Sequence, residues 1–361
     1  MRLLIAGGGT GGHLFPGIAV AEEVVRRGGQ VLFVGTSRGL EARAVPAAGY
    51  ALELLEVSGL KRVGLMAVLR GLFRLPKAFF RSLSILRRFR PDVVLGVGGY
   101  ASGPVVLAAA LWRYPTAIQE QNSVPGITNR ILSRLVRVVM IAFDEARRFF
   151  PAGKTETIGN PVRSKLVATL TAGADSADTS ASPRILVVGG SQGARAVNDL
   201  VLTAVEVLAK NGSLPVLVHQ TGPSDEDRCG ERYGVLSVSD RVEVRPFIDD
   251  MATEYHRASL VVARAGALTL AELAIAGRPT ILIPLPTAAD DHQSKNAARF
   301  AQAGAAIVLN QRTSTGAELA QLLSDLLADS GRRQAMASAM RSLARPKAAA
   351  DIVDRLERLR A

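Results

Sequence analysis

The sequence predicts an α/β protein built from two doubly wound, Rossmann-like domains. Three observations lead to this prediction. The chain has 361 residues, which exceeds the size at which a single hydrophobic core keeps growing. Short apolar runs alternate with amphipathic helical segments, as in sheets of parallel strands. The opening pattern of apolar strand, glycine turn and long helix starts again at Arg184.

The composition sets the class of protein. Hydrophobic residues make up 48% of the chain and charged residues 21%, which is typical of a soluble globular protein. The one cysteine, Cys229, excludes an intramolecular disulfide and fits a reducing compartment. The opening apolar run is too short for a signal peptide, and no run reaches the length of about 18 residues that would span a membrane. The net charge of +12 indicates an anionic partner.

Eight apolar runs have the character of buried parallel strands. They are RLLIA (2–6), VLFVG (31–35), DVVLGVGG (92–99), TAIQE (116–120), RILVVGG (184–190), PVLVHQ (215–220), SLVVAR (259–264) and TILIPL (280–285).

The domain boundary is predicted from a change in composition. The tract 171–183, TAGADSADTSASP, is small, polar and without period, which is typical of a flexible linker. The expected domains are 1–163 and 164–344, with a final helix over about 345–361 that packs back on the first domain. Because ligands of open α/β sheets bind at the carboxyl ends of the strands, the expected site is the cleft where the domains face each other.

Four glycine loops follow predicted strands. The first, Gly7 to Gly12, matches the dinucleotide fingerprint G-x-G-x-x-G, which alone is a weak signal. The next strand ends without the carboxylate that an NAD enzyme needs, although Arg38 could serve an NADP phosphate, so an NADP-dependent oxidoreductase stays an alternative. Glycine turns also follow strands at 96–104, 189–195 and 264–273. Such loops admit an oxyanion or sugar close to the backbone, and four of them favour a diphosphate-bearing ligand over tight turns alone.

The most informative stretch is 263–297. Gly266 permits a close approach at a helix start, and Glu272 lies one turn beyond Thr269, where it could accept the hydroxyl groups of a ribose. A structural alternative for Thr269 and Glu272 is a capping box, S/T-x-x-E. The whole pattern resembles the nucleotide-sugar motif of GT-B glycosyltransferases.

The resemblance extends to one bacterial family of lipid II-forming transferases within GT-B family 28. Its members add N-acetylglucosamine to undecaprenyl-diphospho-N-acetylmuramoyl-pentapeptide, which converts lipid I to lipid II in peptidoglycan synthesis. The similarity runs from residue 3 to about residue 310, and Asp291 departs from it where the family more often has an amide. The motifs that carry it are GGGTGGHLFPG, GVGGYASGP, QEQNSVPGITNR, GNPVR, GGSQGARAVN, FIDDM and DDHQSKNA.

The resemblance implies a set of ligand-binding residues. The Ile248 backbone would contact uracil, Glu272 would bind the ribose, and Gln293 would bind the N-acetylglucosamine. Arg163 would neutralise charge between the domains. The full set expected to contact UDP-N-acetylglucosamine is Thr10, Gly11, Gly12, Asn122, Arg163, Ser191, Ile248, Ala267, Leu268, Thr269, Leu270, Ala271, Glu272 and Gln293. The set expected on the acceptor side is Gly98, Gly99, Tyr100, Glu120 and Asn129, and Asn122 lies beside it.

The chemistry of the transfer suggests a base. A sugar hydroxyl must lose its proton as it attacks the anomeric carbon, and His13 is the natural candidate because its ordinary pKa lies near working pH. Helix starts after glycine loops can stabilise the leaving diphosphate, and no acidic pair demands Mg²⁺, so neither metal nor cofactor is expected. The family's change from α-linked donor to β-linked product implies one direct displacement.

A basic segment suggests the location. Between Val57 and Pro91 there are nine basic residues and no acid, and Arg70, Arg74, Lys77 and Arg81 recur at helical spacing among leucines and phenylalanines. This pattern predicts a surface for anionic lipid headgroups, and hence a peripheral enzyme on the cytoplasmic face of the plasma membrane.

Three further classes of protein are less consistent with the sequence. A nucleic-acid-binding protein would leave the donor motif unused, so no nucleic-acid partner is expected. Other lipid-directed GT-B enzymes and a UDP-N-acetylglucosamine epimerase are disfavoured by GVGGYASGP together with QEQNSVPGITNR.

Overall fold

A computed structural model describes the backbone of residues 1–37, 39–56, 65–172, 183–190 and 192–360, and their side chains except those of 65–75 and Ala289. The chain forms two compact units. Unit 1 comprises Met1–Ser164 and Arg345–Ala361, and unit 2 comprises Lys165–Ala344. Arg38, Ser191 and most of the predicted linker lie outside the described residues.

Unit 1 contains a seven-stranded sheet in the order β3-β2-β1-β4-β5-β6-β7, and every neighbouring pair of strands is parallel. The strands are β1 (Arg2–Gly7), β2 (Gln30–Thr36), β3 (Ala51–Leu55), β4 (Val93–Gly98), β5 (Thr116–Glu120), β6 (Val138–Ile141) and β7 (Thr155–Thr157). The helices are α1 (Gly11–Arg26), α2 (Glu41–Ala47), α3 (Leu65–Phe89), α4 (Ser102–Leu111) and α5 (Ile127–Leu132).

Unit 2 repeats the design with a six-stranded parallel sheet in the order β10-β9-β8-β11-β12-β13. Its strands are β8 (Arg184–Val188), β9 (Val216–Gln220), β10 (Val242–Arg245), β11 (Leu260–Ala263), β12 (Thr280–Leu282) and β13 (Ala306–Val308). The helices from the boundary to the C-terminus are α6 (Ser164–Ala172), α7 (Arg195–Lys210), α8 (Glu226–Val235), α9 (Met251–Arg257), α10 (Ala267–Ala276), α11 (His292–Gln302), α12 (Gly316–Ala328), α13 (Ser330–Ser342) and α14 (Ala348–Arg360).

After a first arginine, the central strands β1 and β8 are apolar and buried, as expected where helices cover both faces of a sheet. In β1, for example, Leu3, Leu4 and Ile5 are all fully buried. Odd and even positions of these strands contribute to separate core clusters on the two sides of the unit 1 sheet. The prediction of two doubly wound Rossmann-like sheets is confirmed.

The sheet order places the glycine loops. The chain crosses from one side of β1 to the other, so β1 lies between β2 and β4, and β8 lies likewise between β9 and β11. The first two glycine loops therefore leave neighbouring strands at their carboxyl ends, which is where open α/β sheets bind ligands. Across the described part of the chain, no helix is long and apolar enough to cross a membrane.

Candidate active site

The first two glycine loops of unit 1 are in backbone contact. Gly8 N donates to Gly98 O over 3.3 Å. A Cβ added to Gly99 would lie 2.3 Å from Gly8 O, and the φ of +82° at Gly99 is itself one that favours glycine. The glycines at these positions therefore let the carboxyl ends of β1 and β4 approach each other, apart from anything they do for a ligand.

A buried carboxylate, which the sequence analysis missed, supports the first loop from below. Glu41 is 1% exposed and accepts hydrogen bonds from Gly9 N (2.7 Å), Thr36 N (2.8 Å) and Thr36 Oγ1 (2.7 Å). These donors hold the pKa of Glu41 below its usual value although burial opposes them. A Cβ on Gly8 would lie 2.3 Å from this side chain. The Gly9 amide thus already has an anion, and it is not available to a phosphate.

The backbone amides at the start of α1 are not capped by the Thr10 side chain. The Thr10 side chain is exposed and makes no cap hydrogen bond, while Thr10 O accepts from His13 N and Leu14 N. The amides of Gly11 and Gly12 lie in the first turn, where a helix offers no internal partner. This helix start is a position at which an anionic or hydroxyl-bearing group can be held.

His13 lies beside this helix start and contacts the second glycine loop. Its half-buried ring places Nδ1 2.7 Å from Gln121 Oε1. A Cβ on Gly98 would lie 2.9 Å from the same nitrogen. The Nδ1 edge of the ring is thus enclosed between Gln121 and Gly98.

Glu120, the last residue of β5, accepts hydrogen bonds from two predicted residues that follow it in the chain, Asn122 and Asn129. Its carboxylate is 1% exposed and accepts from Asn122 N (3.0 Å), Asn122 Nδ2 (3.4 Å) and Asn129 Nδ2 (2.8 Å). The structure therefore brings Glu120, Asn122 and Asn129 together as one hydrogen-bonded group. Tyr100 is 51% exposed after β4.

Arg163 lies at the end of unit 1 and reaches back to α1. Its guanidinium carbon is 5.7 Å from the centre of the Phe15 ring, close enough for a cation–π contact. Phe15 in turn packs against Gly11, where an added Cβ would lie 3.0 Å from the ring. Arg163 is exposed, so its positive charge is available near the start of α1.

In unit 2, the predicted donor residues gather at the start of α10. Gly266 is the N-cap residue, and the first intrahelical bond runs from Leu270 N to Gly266 O. The amides of Ala267, Leu268 and Thr269 therefore have no partner within the helix and can bind an anion. The Leu270 amide is used inside the helix and its side chain is fully buried, while Ala271 is partly exposed.

The capping-box alternative for Glu272 is wrong. The N-cap of α10 is Gly266, three residues before Thr269, so Thr269 and Glu272 lie inside the helix. Glu272 Oε2 instead accepts a hydrogen bond of 3.1 Å from the hydroxyl of Tyr255, which is 1% exposed on α9. Tyr255 thereby fixes the direction of a partly exposed carboxylate.

Two polar side chains of unit 2, Gln293 and Arg264, hydrogen-bond to the backbone of residues 283–285, which follow β12. Gln293 Oε1 accepts from Leu285 N over 3.0 Å, which directs its amide nitrogen away from the backbone. Arg264, which the sequence analysis did not single out, is 9% exposed and donates to Ile283 O (2.9 Å) and Pro284 O (3.2 Å). Burial lowers the pKa of Arg264. Ile248 is 3% exposed, and Ser191 lies outside the described residues.

Among residues that the structure describes, no cluster of three or more His, Cys, Asp or Glu side chains could hold a metal ion.

The chain is a glycosyltransferase of the GT-B fold. Both of its Rossmann-like units carry glycine loops at their central strands, and in unit 2 an open helix start is followed by a carboxylate. More narrowly, the chain belongs to glycosyltransferase family 28. The N-terminal domain of that family matches residues 3–141 and its C-terminal domain matches residues 184–356.

The similar proteins agree with this assignment. The chain is 51% identical, over 98% of its length and 92% of the relative's, to the UDP-N-acetylglucosamine--N-acetylmuramyl-(pentapeptide) pyrophosphoryl-undecaprenol N-acetylglucosamine transferase of Anaeromyxobacter dehalogenans. It is 50% identical over the same shares to the enzyme of that name from Myxococcus xanthus.

Solved structures show the same relationship. MurG from Acinetobacter baumannii superimposes with a TM-score of 0.81 at 34% identity, covering 99% of both chains. A UDP-N-acetylglucosamine 2-epimerase from Neisseria meningitidis has a TM-score of 0.70 at 14% identity, covering 99% of this chain and 100% of its own, and shares the fold alone.

Proposed function

We propose that this protein transfers N-acetylglucosamine from UDP-N-acetylglucosamine to the C4 hydroxyl of the N-acetylmuramoyl sugar in lipid I, which forms lipid II for peptidoglycan synthesis. The observation that carries the proposal is the identity of about half the residues, over nearly the whole chain, with transferases named for this reaction. Lipid I is undecaprenyl-diphospho-N-acetylmuramoyl-pentapeptide, so the acceptor brings both a diphosphate and a lipid.

The proposed step is a single displacement. The acceptor hydroxyl oxygen forms a bond to the anomeric carbon while the bond from that carbon to the diphosphate oxygen breaks. The electron pair leaves with UDP, and the hydroxyl proton moves to His13 Nε2. The amides of Ala267, Leu268 and Thr269 would stabilise the departing diphosphate, and Glu272 would hold the ribose.

The reaction can be tested directly. Labelled UDP-N-acetylglucosamine is incubated with a short-chain lipid I analogue, and we expect a labelled disaccharide product. The same incubation without acceptor serves as the control, because an epimerase would convert the donor even there. Donor conversion in the control, or a labelled product only with a different lipid acceptor, would contradict the proposal.

The base is tested by His13→Ala. We expect kcat to fall by about 10²–10⁴, the usual contribution of a general base, while calorimetry shows UDP binding nearly unchanged, because the UDP site is proposed in unit 2. A variant that keeps most of its turnover would remove His13 as the base.

We further propose that unit 1 holds the enzyme against the anionic cytoplasmic face of the plasma membrane. Phe80 is 66% exposed on α3, Leu111 58% and Trp112 43% at the end of α4, and the Phe79 ring lies 5.8 Å from both the Phe80 and the Trp112 rings. An exposed aromatic cluster beside cations is suited to a lipid headgroup region.

The cations of this surface are less free than the sequence analysis assumed. In the described part of α3, Lys77 pairs with Glu56 over 2.8 Å, and Arg81 (3.1 Å) and Arg88 pair with Glu53. These acids precede the acid-free segment. Arg70 and Arg74 carry side chains outside the described set. Exposed pairs are worth about 0–1 kcal/mol each, so lipid phosphates can replace the carboxylates at small cost.

A vesicle experiment separates the apolar and the charged contributions. We expect the double variant Phe80→Ser, Trp112→Ser to sediment less with anionic vesicles than wild type, and a variant with Arg70, Arg74, Lys77 and Arg81 all changed to Glu to lose binding. Val235→Ser, which removes a 77% exposed side chain from unit 2, is the matched control. Equal sedimentation of all variants would show that this surface does not bind membranes.

A further inference from the structure

The tautomer of His13 is set by a buried glutamine amide. Gln121 is fully buried, and its Nε2 donates to Val97 O (3.0 Å), Gln119 O (3.2 Å) and Gln119 Oε1. If the amide were turned over, its oxygen would face three oxygen acceptors without a proton between them. The nitrogen therefore points into this group of oxygens, and Oε1 points at His13.

An amide oxygen only accepts hydrogen bonds, so the partner at 2.7 Å must donate. The Nδ1 of His13 consequently carries the ring proton in the neutral imidazole. The second nitrogen, Nε2, is then the one with a free electron pair, which is what a base requires.

The support for Gln121 is rigid. The side chains of Gln119 and Gln121 lie on the same face at the end of β5, because side chains two residues apart in extended backbone point the same way. Both are fully buried. Gln119 Nε2 lies 3.5 Å from Asn160 Oδ1, which extends the amide chain toward the end of unit 1. Two of the three oxygens that hold Gln121 belong to the backbone of β4 and β5, so side-chain motion alone does not release it.

We infer that Gln121 is a positioning residue of the transfer reaction, which holds His13 in the Nδ1–H tautomer so that Nε2 takes the proton of the attacking hydroxyl. The inference rests on the proposed role of His13 as base. When Nε2 accepts the proton, the imidazolium keeps its Nδ1–H bond to Gln121 Oε1. Gln121 therefore accompanies the charge change without exchanging a proton itself.

The tautomer can be measured without turnover. In the full chain labelled with ¹⁵N-histidine, we expect the His13 Nδ1 of wild type to resonate as a protonated ring nitrogen, and His13→Ala assigns the signal. His219 is an internal reference of the opposite kind. Its Nε2 faces Asn198 Oδ1 and its Nδ1 faces the Tyr233 hydroxyl, so it should carry the proton on Nε2.

Removing the amide should release the ring. In Gln121→Met we expect the His13 proton to move toward Nε2, while the His219 signals stay unchanged. We expect kcat to fall about 10- to 100-fold, the effect known for residues that orient metal-binding histidines, and the donor KM to stay unchanged. Gln119→Met is the matched control, because the backbone oxygens of Val97 and residue 119 still hold the Gln121 amide, so His13 should keep the Nδ1–H form.

The outcomes are distinct. An Nε2–H form of His13 in wild type, an unchanged tautomer in Gln121→Met, or an equal shift in Gln119→Met would each overturn the inference. Retained turnover in His13→Ala with the expected tautomers would overturn the role of His13 as base, and with it the catalytic part of the inference.

Discussion

Glu272 shows how a single residue changes meaning once its neighbours are known. Its spacing from Thr269 fits a cap, but the helix begins three residues earlier and the carboxylate instead receives the Tyr255 hydroxyl. The carboxylate is thus oriented by a buried donor while it stays partly exposed. Its proposed partner, the ribose of the donor, gives a direct prediction.

Glu272→Ala should weaken UDP-N-acetylglucosamine binding by about 1–3 kcal/mol, the cost of removing a charged hydrogen-bond acceptor. The chain offers a matched control in Glu318, because Thr315 Oγ1 accepts from Glu318 N at a true helix start. Glu318→Ala should lower the melting temperature slightly and leave the affinity unchanged. Calorimetry that gives both variants the same donor affinity as wild type would exclude Glu272 from the site.

His219 gives a prediction on pH and stability. Burial lowers its pKa to about 3, so the folded state keeps the ring neutral while the unfolded state protonates near the ordinary value. Stability is thus fully present above about pH 6.5 and is lost as the pH falls toward 3, with a slope of up to about 1.4 kcal/mol per pH unit. In urea unfolding, His219→Gln should be less stable at pH 7 but lose less between pH 6.5 and 4.5. If the unfolding free energies of wild type and His219→Gln changed equally with pH, the lowered pKa of His219 would be contradicted.

At the scale of elements, the contact between the first two glycine loops links the ends of β1 and β4. Gly99 and Gly49 share a φ of +82°, but a Cβ on Gly49 meets nothing within 4 Å, whereas one on Gly99 meets Gly8 O at 2.3 Å. Alanine variants at Gly49 and Gly99 therefore distinguish the cost of backbone strain from the cost of a clash between the loops.

Gly49→Ala should cost about 1–2 kcal/mol of unfolding free energy from the left-handed conformation alone. Gly99→Ala should cost a further amount of about 1–3 kcal/mol from overpacking, and it should lower turnover because the displaced backbone lies next to His13. Denaturant unfolding and the transfer assay measure the two effects. Equal losses in both variants would show that the loops do not depend on this close approach.

At the scale of the whole molecule, the C-terminal helix α14 belongs to the first unit although unit 2 separates it in sequence. Ile352, Val353 and Leu356 are fully buried in one core cluster with residues of β1 and α1. Arg27 also pairs with Asp354 (2.5 Å) and Arg355 with Glu156 (2.8 Å). The last segment of the chain is therefore a part of the unit 1 core.

Ending the chain after Ala344 should unfold unit 1. Each fully buried aliphatic side chain contributes about 1.5–3 kcal/mol, and three of them approach the entire stability of a domain, about 5–15 kcal/mol. Calorimetry should show the loss of one thermal transition, with UDP binding by unit 2 retained. Removal of residues 360–361 alone is the control. A shortened chain that melts like wild type would contradict this account of the core.

The sequence by itself determined the two parallel sheets, because buried central strands such as 3–6 and 185–188 are apolar throughout and glycine turns follow them. It did not reveal the strands β3, β6, β7, β10 and β13, since strands of only three to five residues are too short to show a distinctive period. The resemblance to family 28 identified the enzyme class from motif order alone.

Only the tertiary structure decided what supports the site residues. Glu41, Gln121 and Tyr255 are ordinary residues in sequence, because their roles depend on partners 32, 108 and 17 positions away. Likewise, the sequence of the acid-free basic segment gives no sign that its cations pair with Glu53 on β3 and with Glu56 just after it. Local patterns determine strands, helices and turns, whereas the protonation and direction of a side chain are decided by the groups that the fold brings against it.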